Sequence, residues 1–193
     1  MSLPVRNRPA VLLRHLLASL RAGVGSLVTE VNADLVNEGA RYQLPTWAST
    51  SAQIGVYGQG EALPLAMEGL SYPLVRLTYQ GGALRLLTGN RDGDQDVRVW
   101  LDCYLSLDAL TALGAGVELG EADLIEATVD LAWMVRQSLQ DPSTGAASAS
   151  CGVIRIAGLE ELPVQLHAIN TRTYKTTAAV IRLDLLLQQE GRF

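Results

Sequence analysis

Apolar and polar residues alternate from Val97 to Leu107. Val97, Val99, Leu101, Cys103, Leu105 and Leu107 take one set of positions; Arg98, Trp100, Asp102, Tyr104 and Ser106 take the other. Successive side chains of a strand point to opposite faces, so residues 96–107 read as one β-strand, roughly twice the usual length, with an apolar face and a polar-aromatic face. A second clean alternation runs from Thr176 to Leu187, with Thr177, Ala179, Ile181, Leu183, Leu185 and Leu187 on one side. Shorter alternations at 71–79, 152–157 and 163–169 predict further strands, and Leu84–Thr88 a short one. Gln80–Ala83 and Asp92–Gly93 carry turn residues between them.

Two stretches have helical spacing instead. Over 9–38, Leu12, Leu16, Leu20 and Val24 fall four apart, and Leu27, Val31 and Leu35 continue the stripe after a one-residue slip. Pro9 suits a first turn and Gly39 a stop, while Gly23 and Gly25 predict a kink or short break. Over 121–140, Leu124, Thr128, Leu131, Val135 and Leu139 form the stripe, with Trp133 flanking it; Glu121 and Asp123 favour the N-terminal end, and Asp141-Pro142 ends the helix. Residues 108–120 hold a helical turn at 109–113 and a glycine-containing loop. Residues 40–70 read either as an extended arm or as a loop folded on its own domain, with 53–60 a short edge strand or part of the arm; residues 142–152 read as a mobile loop, and 188–193 as a frayed tail.

These elements predict a single α+β domain over residues 1–193: a mainly antiparallel β-sheet with two α-helices packed on one face. The chain of 193 residues is 48% hydrophobic and 18% charged, which is a globular balance with enough length for a real core. A net charge of −5 argues against general nucleic-acid binding, which needs a basic footprint; only a local basic ring on an oligomer would escape that test. Cys103 falls on the apolar strand face and reads as a buried free thiol in a reducing compartment. The basic residues Arg14, His15 and Arg21 interrupt the N-terminal apolar run, so it reads as an amphipathic helix and not as a signal segment or membrane span.

Candidate chemistry is sparse. Asp92, Asp94 and Asp96 resemble the start of a calcium loop, but the sixth and twelfth places hold Val97 and Cys103 where a glycine and a glutamate are needed. Gly114–Gly120 precedes a helix as a phosphate-binding turn would, yet Glu118, Glu121 and Asp123 put negative charge where a pyrophosphate would sit. Cys151 with His167 is the one conceivable thiol–imidazole pair; two histidines and two cysteines, widely spread, make no zinc pattern. No catalytic residue, cofactor or metal is assigned, and the chain reads as no enzyme.

The leucine-rich helix at 9–38, the alternating strand Val97–Leu107, the helix Glu121–Gln140 and the terminal strand Tyr174–Leu187, in that order, resemble the tail terminator and neck proteins of tailed bacteriophages. The resemblance is one of element order over most of the chain, without a residue signature. It implies a structural virion protein, made in the host cytoplasm, whose hexameric ring caps the tail tube and joins it to the head connector. The implied partners are further copies of itself, the tail tube protein and head connector or stopper proteins, with the tail sheath as a further candidate. DNA would pass through the lumen without sequence-specific binding. Arg98, Trp100, Asp102 and Tyr104 are then the candidate subunit-interface or lumen face. Another connector or minor tail protein, or a small-molecule enzyme or binding domain on an α+β scaffold, is the alternative.

Overall fold

The leucine stripe folds as read: Pro9–Glu38 is one helix, α1. In this computed structural model the described residues are 9–46, 54–56, 73–86, 92–140, 153–170 and 175–192. Helix α1 ends in a Schellman closure, with Ala40 N–H donating to Leu35 O (2.9 Å) and Gly39 N–H to Val36 O (3.3 Å). Gly39 takes φ +74°, which a glycine reaches without a Cβ penalty. The expected break at Gly23 does not occur. A Cβ at Gly23 would lie 2.8 Å from Ser138 Cβ, so this glycine lets α1 come close to the second helix, α2 (Glu121–Gln140).

The strands are β1 (Tyr42–Gln43), β2 (Ile54–Val56), β3 (Leu74–Leu86), β4 (Asp92–Ser106), β5 (Thr111–Ala112), β6 (Val153–Glu161), β7 (Gln165–Asn170) and β8 (Lys175–Arg192). A 3-10 turn at Leu107–Ala109 and then β5 occupy the place of the expected helical turn at 109–113. The main sheet runs β2-β3-β4-β8-β6, with β7 also on β8. All its pairings are antiparallel except β2 with β3. Strands β6 and β7 take successive stretches of the same β8 edge, Glu190 to Leu183 and then Val180 to Lys175. They are two halves of one arm of a hairpin, interrupted at 162–164.

Helices α1 and α2 cover one face of this sheet. Leu12, Leu16, Leu20 and Val24 of α1 and Leu124, Leu131 and Val135 of α2 are buried with Val97, Val99, Leu101, Cys103 and Leu105 of β4 and Ile181, Leu183, Leu185 and Leu187 of β8. Each such side chain contributes about 1.5–3 kcal/mol of burial free energy, which is what holds the two layers together. Val28 continues the α1 stripe, so the slip at Leu27 is a widening of the buried face. The buried hydroxyls of Thr128 and Ser138 donate to the carbonyls four residues back, at 2.6 and 2.7 Å.

Three boundaries differ from the sequence expectation. Gln80–Ala83 is no turn: β3 runs through it, with a bulge between Tyr79 and Gly81, and Gly81 has φ +116°. Bulge and turn ask for the same residue, which is why the two look alike in sequence. Asp92 and Gly93 lie inside β4, paired with Arg192 and Gly191, and not at a tight turn. Residues 188–192 continue β8 as a paired strand and are not a frayed end. Of the expected arm, Tyr42–Gln43 pairs with Thr111–Ala112 and Ile54–Val56 with β3; its residues 47–53 and 57–70 lie outside the described residues, as does the loop 142–152. Asn32 holds the start of this arm: its amide donates to Leu44 O (2.9 Å) and accepts from Leu44 N–H (2.8 Å), as a neighbouring strand would.

Candidate functional site

The sheet face turned away from the helices carries the polar residues. Register builds it in rows across the strands: Leu74, Tyr104, Val180 and Gln165; Arg76, Asp102 and Arg182; Thr78, Trp100, Asp184 and Glu160; Gly81, Arg98, Leu186 and Gly158. The four sequence candidates, Arg98, Trp100, Asp102 and Tyr104, thus share one face of β4, as their spacing requires.

They differ in what they offer to another molecule. Asp102 is 2% exposed and Tyr104 1%. Asp102 is held by Arg182, whose Nε donates to Oδ1 at 2.5 Å and Nη2 to Oδ2 at 3.1 Å. The Arg182 guanidinium also stacks over the Trp100 ring, 4.1 Å from its centroid. One row on, Arg98 donates through Nε and Nη2 to Asp184, at 2.8 and 2.5 Å. The Arg98 side chain is 59% exposed while Asp184 is mostly covered. Arg98 is therefore the residue of the four that presents charge outward.

These contacts set the protonation states. The Arg98 hydrogen bonds hold the Asp184 carboxyl below its usual range, against the opposing effect of burial. The Asp102 hydrogen bond raises Arg182 further above its usual value. Burial, and then the Asp102 charge, pushes the Tyr104 hydroxyl up to about 12. Near neutral pH, Arg98, Arg182 and Asp184 are therefore charged and Tyr104 is neutral.

A cavity of about 230 Å3 opens on this face beside the 162–164 interruption between β6 and β7. Asp102, Tyr104, Gln165, His167, Val180 and Arg182 line it together with Leu162 and Pro163. Elsewhere the candidate chemistry disperses. Cys103 is fully buried on the helix-facing side, where burial raises its thiol pKa and keeps it inert. Cys151 lies outside the described residues, so the Cys151–His167 pairing is untouched by this geometry. Asp92, Asp94 and Asp96 belong to strand β4, and the described residues contain no group of three or more His, Cys, Asp or Glu able to hold a metal ion. At the head of α2, Gly120 N–H donates to Asp123 Oδ2 (2.8 Å), so the chain's own carboxylate occupies a donor that a phosphate would need. His15 lies half-buried on α1. No described helix is long and apolar enough to cross a membrane.

Arg182, Asp184 and Gln165, which the sequence did not single out, complete the face together with His167, which it offered only as a partner for Cys151. The alternation of 176–187 showed Arg182 and Asp184 on a common side, but their partners are 80 and 86 residues away and only register reveals them. No protein-family model matches the chain, and no curated protein matches it in sequence.

Proposed function

We propose that this protein is a structural component of a tailed-bacteriophage virion, a tail terminator or neck protein that works as a ring of identical subunits at the head-proximal end of the tail. The observation that carries this reading is the length of the central strand pair: β4 and β8 stay paired from Ser106 and Ala178 to Asp92 and Arg192. Described core residues on β4 and β8 reach Val97 and Leu187. The two strands then continue together from Asp96 and Gln188 to Asp92 and Arg192, flanked by β3 and β6. Five residues at about 3.4 Å each carry the pair roughly 17 Å past Val97 and Leu187. Strands of this length, well over twice the usual, suit a sheet that is shared between molecules. The element order adds weight, as does an acidic chain suited to a channel that DNA must pass without sticking.

In this role the partners are further copies of the chain, the tail tube protein and the head connector. The test is light scattering and negative-stain microscopy on purified protein, alone and with tail tube protein. Rings of uniform subunit number are expected. Monomer at high concentration, persisting with tube protein present, would overturn the reading.

One observation favours a second reading, a small-molecule binding domain: the cavity beside Arg182 and His167 gathers several polar groups in one concave place. Thermal-shift screening with small carboxylates and phosphates separates the two. A stabilisation that disappears in His167→Ala supports binding, and no shift with any of them removes it.

A further inference from the structure

The cavity of about 230 Å3 on the polar face is built around one arginine. Arg182 donates to Asp102 through Nε and Nη2, at 2.5 and 3.1 Å, and neither bond uses Nη1. The centroid of the Trp100 ring lies 4.1 Å from Arg182 Cζ, so the ring covers one face of the guanidinium. A guanidinium has two hydrogen-bonding edges. Asp102 takes the Nε–Nη2 edge, which leaves the edge formed by Nη1 and Nη2. The Arg182 side chain is 33% exposed and that of Asp102 only 2%, so the accessible part of the pair belongs to the arginine. Held along one edge and against one face, Arg182 has little freedom left to lose when it binds something.

Charge points to the kind of ligand. The row through Arg182 holds Arg76, Asp102 and Arg182, two cations to one carboxylate. Arg76 is 7% exposed, so solvent screens its charge only weakly. Asp184 and Glu160 lie one row on, where Asp184 is bonded to Arg98. The row beside the cavity therefore has one positive charge to spare. A single carboxylate balances it, whereas a phosphate dianion would leave negative charge over in a largely covered place.

The remaining lining sets size and shape. Val180 lies two residues from Arg182 on the same face of β8, with Leu162 and Pro163 beside the cavity. Val180 belongs with Leu74 and Tyr104 to a small apolar cluster separate from the helix-covered core. Gln165 stands opposite Val180 in register, and His167 follows on the same side of β7. The space falls below the range of about 300–1,000 Å3 that holds drug-sized molecules, and suits an acid of a few carbons.

We infer that this cavity binds a small monocarboxylic acid, whose carboxylate takes the Nη1–Nη2 edge of Arg182 and whose short apolar body lies over Val180 and Pro163. Gln165 and His167 form the wall at the end remote from the carboxylate. The site rests on the small-molecule reading of the cavity and is independent of the ring.

The test is a nuclear magnetic resonance titration of the full chain in carboxylate-free buffer, following the Arg182 Nε–H signal and the Val180 methyls. The probes are sodium butyrate, butyramide and inorganic phosphate. Butyrate should shift both signals saturably. Butyramide keeps the body without the charge and should shift neither, and phosphate should bind about tenfold more weakly than butyrate. Arg182→Lys keeps the charge opposite Asp102 but loses the planar edge, and should weaken butyrate about tenfold. Gln165→Trp changes an exposed residue of the wall, fills the space without touching the Asp102–Arg182 pair, and should abolish binding. If Arg182→Lys does not fold, Gln165→Trp decides alone.

Equal affinity for butyrate and phosphate would overturn the carboxylate assignment and leave the cavity a general anion site. Butyramide binding as tightly as butyrate would overturn the role of Arg182. Butyrate shifts that persist unchanged in both variants would place the acid elsewhere on the surface and overturn the site. No saturable shift with any probe would overturn the site and the small-molecule reading together, and leave the ring reading to its own test.

Discussion

Asp102 and Arg182 stand directly opposite each other on the two central strands, joined by hydrogen bonds of 2.5 and 3.1 Å between residues 80 apart in the chain. The pair lies at the middle of the polar face, with Arg76 completing the row and Trp100 stacked beneath the guanidinium. Its carboxylate is buried and its arginine one-third open, which decides how its loss should be read.

Asp102→Ala should destabilise the monomer by about 2–4 kcal/mol, because it strands a largely covered guanidinium; the range is reduced from that of a fully buried pair for the solvent that reaches Arg182. Replacing both partners with leucine should cost less than the sum of the single changes. Urea titrations of the two single variants and the double variant measure this. Strict additivity would mean the pair contributes nothing as a pair.

Arg98 should behave differently. Its side chain is 59% exposed, so Arg98→Glu should leave the melting temperature of the monomer close to that of the unaltered protein. Under the ring reading it should reduce assembly, since it reverses the outward charge of the face. Asp102→Arg, by contrast, should lower folding and assembly together. Melts and light scattering on the same samples separate these outcomes, and equal loss of both in Arg98→Glu would make the residue a folding element only.

Gly23→Ala should destabilise by about 1–3 kcal/mol through overpacking, although alanine is the better helix former by about 1 kcal/mol. The new methyl would meet Ser138 Cβ at 2.8 Å and Oγ at 2.9 Å. Adding Ser138→Gly should restore much of the loss. A stabilised Gly23→Ala would show that the helices part easily at this point.

Tyr104 predicts an alkaline loss of stability. Its hydroxyl ionises near 10 in the unfolded chain and near 12 in the folded protein. The folded state therefore holds a proton that the unfolded state releases. The contribution is complete below pH 10 and disappears as pH rises through about 12. Tyr104→Phe should flatten the fall in urea midpoint across that interval. Tyr42 shifts in the same direction through burial and its 2.7 Å hydrogen bond to Asp130, so some slope should remain.

Much of the fold was legible because burial writes a period into the sequence. Leu12, Leu16, Leu20 and Val24, and Val97 through Leu105 at every second place, are all fully buried. The misread stretches are those where the backbone, and not burial, makes the structure. The polar segment 188–192 pairs along its whole length, yet ladder hydrogen bonds leave no trace in side-chain type. At Gly81 a bulge and a turn ask for one residue. Half of the polar face was legible from the spacing of a single strand. The other half needed the register of β8 and β7, which no local pattern encodes.

Strand β8 accepts β4 on one edge and both β6 and β7 on the other. It follows all of them in the chain. During synthesis β4 is therefore made long before its main partner, with α2 and the β6–β7 arm still to come. The backbone edge of β4 that β8 pairs waits without that partner until β8 emerges. Folding should be slow and should complete in one late step, governed by the arrival of residues 175–192. A ribosome-bound chain stalled before them would be the form most exposed to aggregation.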